Sequence, residues 1–143
     1  MEPQIQYVKS ADGTRIATCS IGHGPPLVIM NNFYLTIEVI WEIPEALKNI
    51  ERLSQKRMVV LYDARGAGLS RQRVEDFSAE AGVAALAAVI DSLNSTPVDV
   101  LCPGSTTAIA LRYATQHPDK LRRLVLHSPV MRGGEMLSDE RIS

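Results

Sequence analysis

An excess of positive or of negative charge is lacking in this chain. Fifteen Lys and Arg face sixteen Asp and Glu across 143 residues, a formal net charge of -1. With no basic run, nothing supports binding to nucleic acid or to an anionic membrane surface. Long apolar runs are lacking too: none reaches the ~18 residues of a membrane-crossing helix, and Met1-Glu2-Pro3-Gln4 does not open a signal peptide. The expected compartment is therefore the cytoplasm. Cysteine is scarce. Cys19 and Cys102 sit in strand-like segments, form no metal-ligand pattern, and read as buried thiols, so neither a metal nor a cofactor is expected. Repeats, low-complexity tracts and interdomain linkers are absent as well.

What is present suits one globular domain with a sizeable core: 45% of the residues are hydrophobic and 22% charged. Short apolar runs alternate with helical patterns, which predicts a mostly parallel sheet with helices on both faces. Ile5 to Lys9 and Arg15 to Ile21, joined through Asp12-Gly13, predict an antiparallel opening hairpin. Leu27 to Met30 and Met58 to Leu61 read as buried strands. Ile40 to Leu53 reads as one amphipathic helix with Ile43, Leu47, Ile50 and Leu53 inward, and Trp41 packs at its start. A second helix is expected from a Ser78 cap to about Leu93, stopped by Asn94-Ser95-Thr96-Pro97. A sixth strand runs from Leu121 to His127, and Val130 to Ser143 turns polar.

Two stretches carry chemistry. In Val98 to Pro118 a strand (Val98, Val100, Leu101) enters a sharp turn at Cys102-Pro103-Gly104-Ser105, then a helix with Ala108, Ile109, Leu111 and Ala114 as its apolar side. In the other, the strand ending at Leu61 runs into Tyr62-Asp63-Ala64-Arg65-Gly66-Ala67-Gly68-Leu69-Ser70. Its glycines permit tight turning, and Asp63 and Arg65 can hold the loop through charge-assisted hydrogen bonds.

These stretches resemble the α/β-hydrolase family. The first resembles its nucleophile elbow, where a serine inside G-x-S-x-G does the chemistry. The second matches the family's D-x-R-G-x-G-x-S loop at every defined position, and Gln116-His117-Pro118 onward looks like the helix end and next strand. The resemblance covers Tyr7 to about Arg132. It is closest to hydrolase-like domains fused to nucleotide cyclases or helix-turn-helix regulators, which share stretches such as ADGTRIA and YDARGAGLS. It implies a truncated α/β-hydrolase fold over residues 1–130, with 131–143 as a polar tail beginning the excursion toward the family's cap.

The resemblance also fixes which residues to examine. Family members place the nucleophile about fourteen positions before the proline of the helix-ending His-Pro. Counting back from Pro118 gives Gly104. The apex then has no hydroxyl, and a glycine would hold the strained, positive-φ conformation at little cost. In the other register Ser105 is the nucleophile, flanked by Pro103 and Thr107 where the family has small residues. Its alternative role is a helix cap, which the flanks favour. Asn31-Asn32 stands where the family has His-Gly, followed by Phe33. The pair forms either a polar, ligand-facing pocket or a plain turn. Candidate ligand-binding residues are thus Asn31, Asn32, Phe33, Gly104, Ser105 and Thr106, with Ser105 as the candidate catalytic residue. Asp63, Arg65, Gly66, Gly68 and Ser70 are structural, Arg65 as an anion site being the sharper alternative. His23 is a loop residue and His127 a strand-end residue.

A member of this family takes its acid and its histidine from beyond strand six, in chain order Ser, acid, His. A serine without that base stays protonated and weakly nucleophilic. The expectation is a non-catalytic module for a small apolar or ester-like ligand or for a protein. The alternative is an esterase-like serine hydrolase using Ser105 or forming part of a longer or split enzyme. Strand 121–127 should lie at a sheet edge, covered by a homodimer or a complementing chain.

Overall fold

The computed structural model describes residues 2–31, 34–71 and 74–129. Six strands, β1 (Ile5–Lys9), β2 (Arg15–Ile21), β3 (Pro26–Met30), β4 (Met58–Tyr62), β5 (Val98–Pro103) and β6 (Leu121–His127), form one sheet ordered β1-β2-β4-β3-β5-β6. The β1–β2 and β2–β4 pairs are antiparallel, and β4, β3, β5 and β6 are mutually parallel. The mostly parallel α/β architecture with an antiparallel N-terminal hairpin is therefore as expected, and β1, β2 and β6 have the expected bounds. Polar 130–143, the expected tail, lie outside the described residues.

Gly13, at φ +85°, and the Asp12 carboxylate, which accepts the Thr14 N–H at 3.0 Å, turn the hairpin. The inner strands alternate their side chains between two buried layers. Val28, Met30, Val60, Tyr62, Val100 and Cys102 face α3 (Ala79–Ser92) and α4 (Thr107–Gln116). Cys19, Val59 and Leu61 face α1 (Ile37–Glu42) and α2 (Pro44–Ser54). The alanine-rich α3 begins at a Ser78 cap whose hydroxyl accepts the Ala81 N–H at 3.2 Å. Its Gly82 lets α4 approach closely: a Cβ there would lie 2.5 Å from Ile109 Cδ1.

Two helices differ from expectation. The single helix over Ile40 to Leu53 is broken in two at Ile43, which is extended (φ -104°, ψ 105°) because the Pro44 ring disfavours helical backbone in the residue before it. Of the expected inward face, Ile50 is buried while Ile43 and Leu53 are exposed. The fully buried side of α4 is Thr107, Ala110 and Tyr113; of the expected apolar side, Ile109 packs half-buried against the core while Ala108 is exposed. The fully buried Tyr113 ring sets that face, packing at 4.8 Å against His117.

Among the described residues β6 pairs only with β5 and forms one edge of the sheet. Its Val125 is 51% exposed, on the same face as its register partner Leu101, which is only half-buried. Among the described residues, no helix is long and apolar enough to cross a membrane.

Candidate functional site

The parallel strands β4, β3, β5 and β6 end along one edge of the sheet, where open α/β folds gather their reactive groups. The loop after β4 is held rigidly there. Asp63, fully buried, accepts the Ile37 N–H at the start of α1 (2.8 Å) and the Leu69 N–H (2.9 Å). Burial pushes its carboxyl up, while these backbone donors and the neighbouring Asn31 favour the charged form. Gly68, at φ +48°, is required: a Cβ would come within 2.3 Å of Asp63 Oδ2. The buried Ser70 hydroxyl accepts the Ala17 N–H and donates to the Asp63 carbonyl, both at 2.9 Å.

Arg65 is buried and turned inward on its own scaffold. Its guanidinium donates to both oxygens of Asp12 (3.3 and 2.7 Å) and to the Asp76 carbonyl (3.2 Å). The pairing holds the Asp12 carboxyl well below the usual carboxylate range. Through Arg65–Asp12 and Ser70–Ala17 the hairpin stretch and the β4 loop, the two stretches read as shared with hydrolase-like domains, are bonded to one another.

The elbow is built differently. β5 leaves the sheet at Pro103 and enters a 3-10 turn, Gly104–Thr106, that runs on into α4. Neither Gly104 nor Ser105 has positive φ. A Cβ on Gly104 would meet the Ser128 carbonyl at an ordinary 3.4 Å. The expected left-handed apex is absent because Thr106 Oγ1 donates to the Pro103 carbonyl at 2.7 Å and Thr107 Oγ1 to the Gly104 carbonyl at 2.5 Å, bonds that hold the chain in a continuous right-handed turn. Ser105 is exposed, and among the described residues its hydroxyl has no partner. It does not cap α4, whose first residue is preceded by Thr106.

Cys102, fully buried one residue before Pro103, has its thiol pushed up by burial; Thr106 Oγ1 lies 3.1 Å from its sulfur. A thiolate nucleophile is disfavoured there. His23 and His127 are exposed, and His127 lies opposite Pro103 across the β5–β6 pairing.

Between these two loops lies a cavity of about 110 Å³. Met30 and Asn31 line it from the end of β3, Tyr62, Ala64 and Arg65 from β4, Phe77, Ser78, Gly82 and Ala85 from α3 and its approach, and Thr106 and Ile109 from the elbow. Of the candidate ligand-binding residues it brings together Asn31 and Thr106; Gly104 and Ser105 do not line it. Asn32 and Phe33 lie outside the described residues. Asn31 is 2% exposed, and neither its Oδ1 nor its Nδ2 is hydrogen-bonded among the described residues. Its carboxamide lies beside the Asp63 carboxylate, whose charged form it favours.

Sequence reasoning missed the cavity's far wall, Phe77, Gly82 and Ile109. A glycine inside an otherwise alanine-rich helix was the available signal, since such a glycine marks close approach of another element. Among the described residues, no group of three or more His, Cys, Asp or Glu is placed to hold a metal.

A family profile described as alpha/beta hydrolase fold matches residues 25–142. Among solved structures, the chain is similar to an alpha/beta hydrolase from Sphaerobacter thermophilus DSM 20745 (30% identity, TM-score 0.70, covering 85% of this chain and 44% of that one). It is similar to a variant of the N-formylmaleamic acid deformylase from Pseudomonas putida (28% identity, TM-score 0.73, 88% and 47%). A bromoperoxidase from Bacillus anthracis shares the fold at 21% identity (TM-score 0.77, 90% and 45%). The chain thus spans less than half the length of each of these structures. A search of curated proteins finds no match.

Proposed function

Because this chain belongs to the α/β-hydrolase fold family, we propose that it acts as a hydrolase-like binding module rather than as a self-sufficient Ser-His-acid enzyme. The observation that carries this reading is the elbow. Its expected nucleophile position is Gly104, and the hydroxyl next to it, on Ser105, is exposed and without a base among the described residues. A serine hydroxyl in that setting stays protonated at neutral pH. The ligand is small and mainly apolar or ester-like, held in the cavity between the β4 loop and the elbow, whose walls are mostly hydrocarbon. Hydrolysis of a p-nitrophenyl butyrate probe tests the reading: wild-type protein and Ser105→Ala are expected to show the same background rate. A wild-type rate that Ser105→Ala abolishes would overturn it.

One observation favours a second reading. Ser105 stands exposed at the C-terminal end of β5, on the reactive edge of the sheet. An esterase-like hydrolase that draws its base and acid from a longer polypeptide or from a complementing chain would use it there. The same assay distinguishes this reading, repeated with any such segment added.

The module also associates through β6. The outer backbone edge of that strand pairs with nothing among the described residues, and Val125 and Leu101 expose an apolar strip beside it. A second copy of this chain, or a complementing chain, covers that strip. Light scattering coupled to size exclusion should find a dimer or larger species at tens of micromolar; a monodisperse monomer would remove this part of the proposal. The cytoplasmic setting belongs to the same reading, supported by two buried cysteines outside any disulfide.

A further inference from the structure

Most polar groups around the cavity are committed elsewhere. Asn31 keeps its amide atoms beside Asp63 and sealed from the cavity. Arg65 is taken up by Asp12 and the Asp76 carbonyl, and Thr106 Oγ1 by the Pro103 carbonyl and the Cys102 sulfur. Ser78 accepts the Ala81 N–H at the exposed mouth, next to Phe77. Tyr62 differs from all of these. It reaches the cavity from the end of β4, is only 4% exposed, and its hydroxyl makes no hydrogen bond among the described residues. That hydroxyl is not one of the unbonded side-chain atoms sealed from water, so the little surface Tyr62 keeps includes its oxygen, and the cavity is where that oxygen can be met.

The chemistry of its partner follows from the phenol and from the walls. Burial first, and the Cys102 thiol second, push the Tyr62 pKa up, so at neutral pH the hydroxyl keeps its proton and has it to donate. The partner must therefore bring an acceptor. A carboxylate is disfavoured, because Arg65 is already paired and the anion would be buried without a counter-charge. An alcohol or an amide brings a donor of its own, and the inner wall of Met30, Ala85 and Ile109 has no side-chain acceptor for it. A ketone or ester carbonyl brings an acceptor and leaves no donor orphaned. A cavity of about 110 Å³ is somewhat smaller than the ~150 Å³ engineered cavity that holds benzene, and so takes about five heavy atoms.

We infer that this cavity binds a small neutral carbonyl compound, a short ketone or ester, whose oxygen accepts the Tyr62 phenol proton while its alkyl groups lie against Met30, Ala85 and Ile109. This rests on the reading of the cavity as a ligand site and adds to it the residue that recognises the ligand and the group that is recognised.

The test compares butanone with its methylidene analogue, in which a methylene replaces the carbonyl oxygen and the shape is kept. Both are titrated into the whole chain and followed by NMR of the Ile109 methyls and of the Tyr62 ring carbon that bears the hydroxyl. Both probes are expected to shift the methyls saturably, and butanone alone should move the Tyr62 carbon. In Tyr62→Phe, which keeps the ring and loses only the oxygen, the affinity for butanone relative to the analogue should fall roughly fivefold. A Tyr62 carbon that stays still in wild-type protein saturated with butanone would overturn the carbonyl assignment while leaving the cavity as a ligand site, and this readout needs no variant to fold. An unchanged affinity ratio in Tyr62→Phe would overturn it as well. If both probes leave all of these signals unmoved, the ligand-site reading falls together with the carbonyl.

Discussion

The loop after β4 and the turn after β5 lie on the same edge of the sheet, and they differ in how completely their polar groups are satisfied. In the loop, Asp63, Arg65 and Ser70 are buried and each is held by at least two hydrogen bonds to other parts of the chain. At the turn, Ser105 faces solvent with no partner among the described residues. The polar groups of the loop are fully bonded, and the hydroxyl that would do chemistry is the one left open. A strong motif match in the first region therefore says little about activity, which depends on the second.

Breaking the loop should have the largest effect. Asp63→Ala removes the acceptor of two buried N–H groups and is expected to cost about 3 kcal/mol in urea unfolding; a loss below about 1 kcal/mol would mean the loop is not the rigid element described. Two glycines set the regions against each other directly. Gly68→Ala forces a side chain onto positive φ and into Asp63, and should cost roughly 2 kcal/mol or more. Gly104→Ala meets neither obstacle and should be neutral or stabilising by up to about 1 kcal/mol. Equal losses at both sites would erase the distinction.

The Arg65–Asp12 pair sharpens the contrast through pH. The Asp12 carboxyl is lowered in the folded protein, so its contribution is fully present above the ordinary carboxylate pKa of about 3.9 and is lost as pH falls below it. The urea midpoints of wild type and Asp12→Asn should therefore differ most at pH 7 and converge as the pH drops below about 4. A gap independent of pH would assign the effect to the turn's own hydrogen bonds. The smallest effect has the opposite sign. Asn31→Leu removes an unsatisfied buried carboxamide and should raise stability by about 1 kcal/mol; a loss of that size would show that Asn31 supports Asp63 more than it burdens the core.

The strands β3 and β4 were legible because each is a compact apolar run, Leu27 to Met30 and Met58 to Leu61. The loop was legible because glycines and charged residues at fixed spacing have local causes. The break at Pro44 was also local and could have been read from the proline itself. The cavity could not: Asn31, Gly82 and Ile109 are far apart in the chain, and only the packing of α3 against α4 brings them together. The backbone at Gly104 was misjudged because the threonine hydroxyls that hold the turn right-handed act only once the turn exists. The Asp12–Arg65 pair joins residues 53 positions apart and was invisible for the same reason as the cavity.

Intact-protein mass spectrometry after exposure to a fluorophosphonate reads the state of the elbow most directly. A hydroxyl without a base should leave the mass unchanged at neutral pH over hours, in wild type and Ser105→Ala alike. A single adduct on the wild-type chain that Ser105→Ala eliminates would show an activated serine, and the chain would then be a hydrolase.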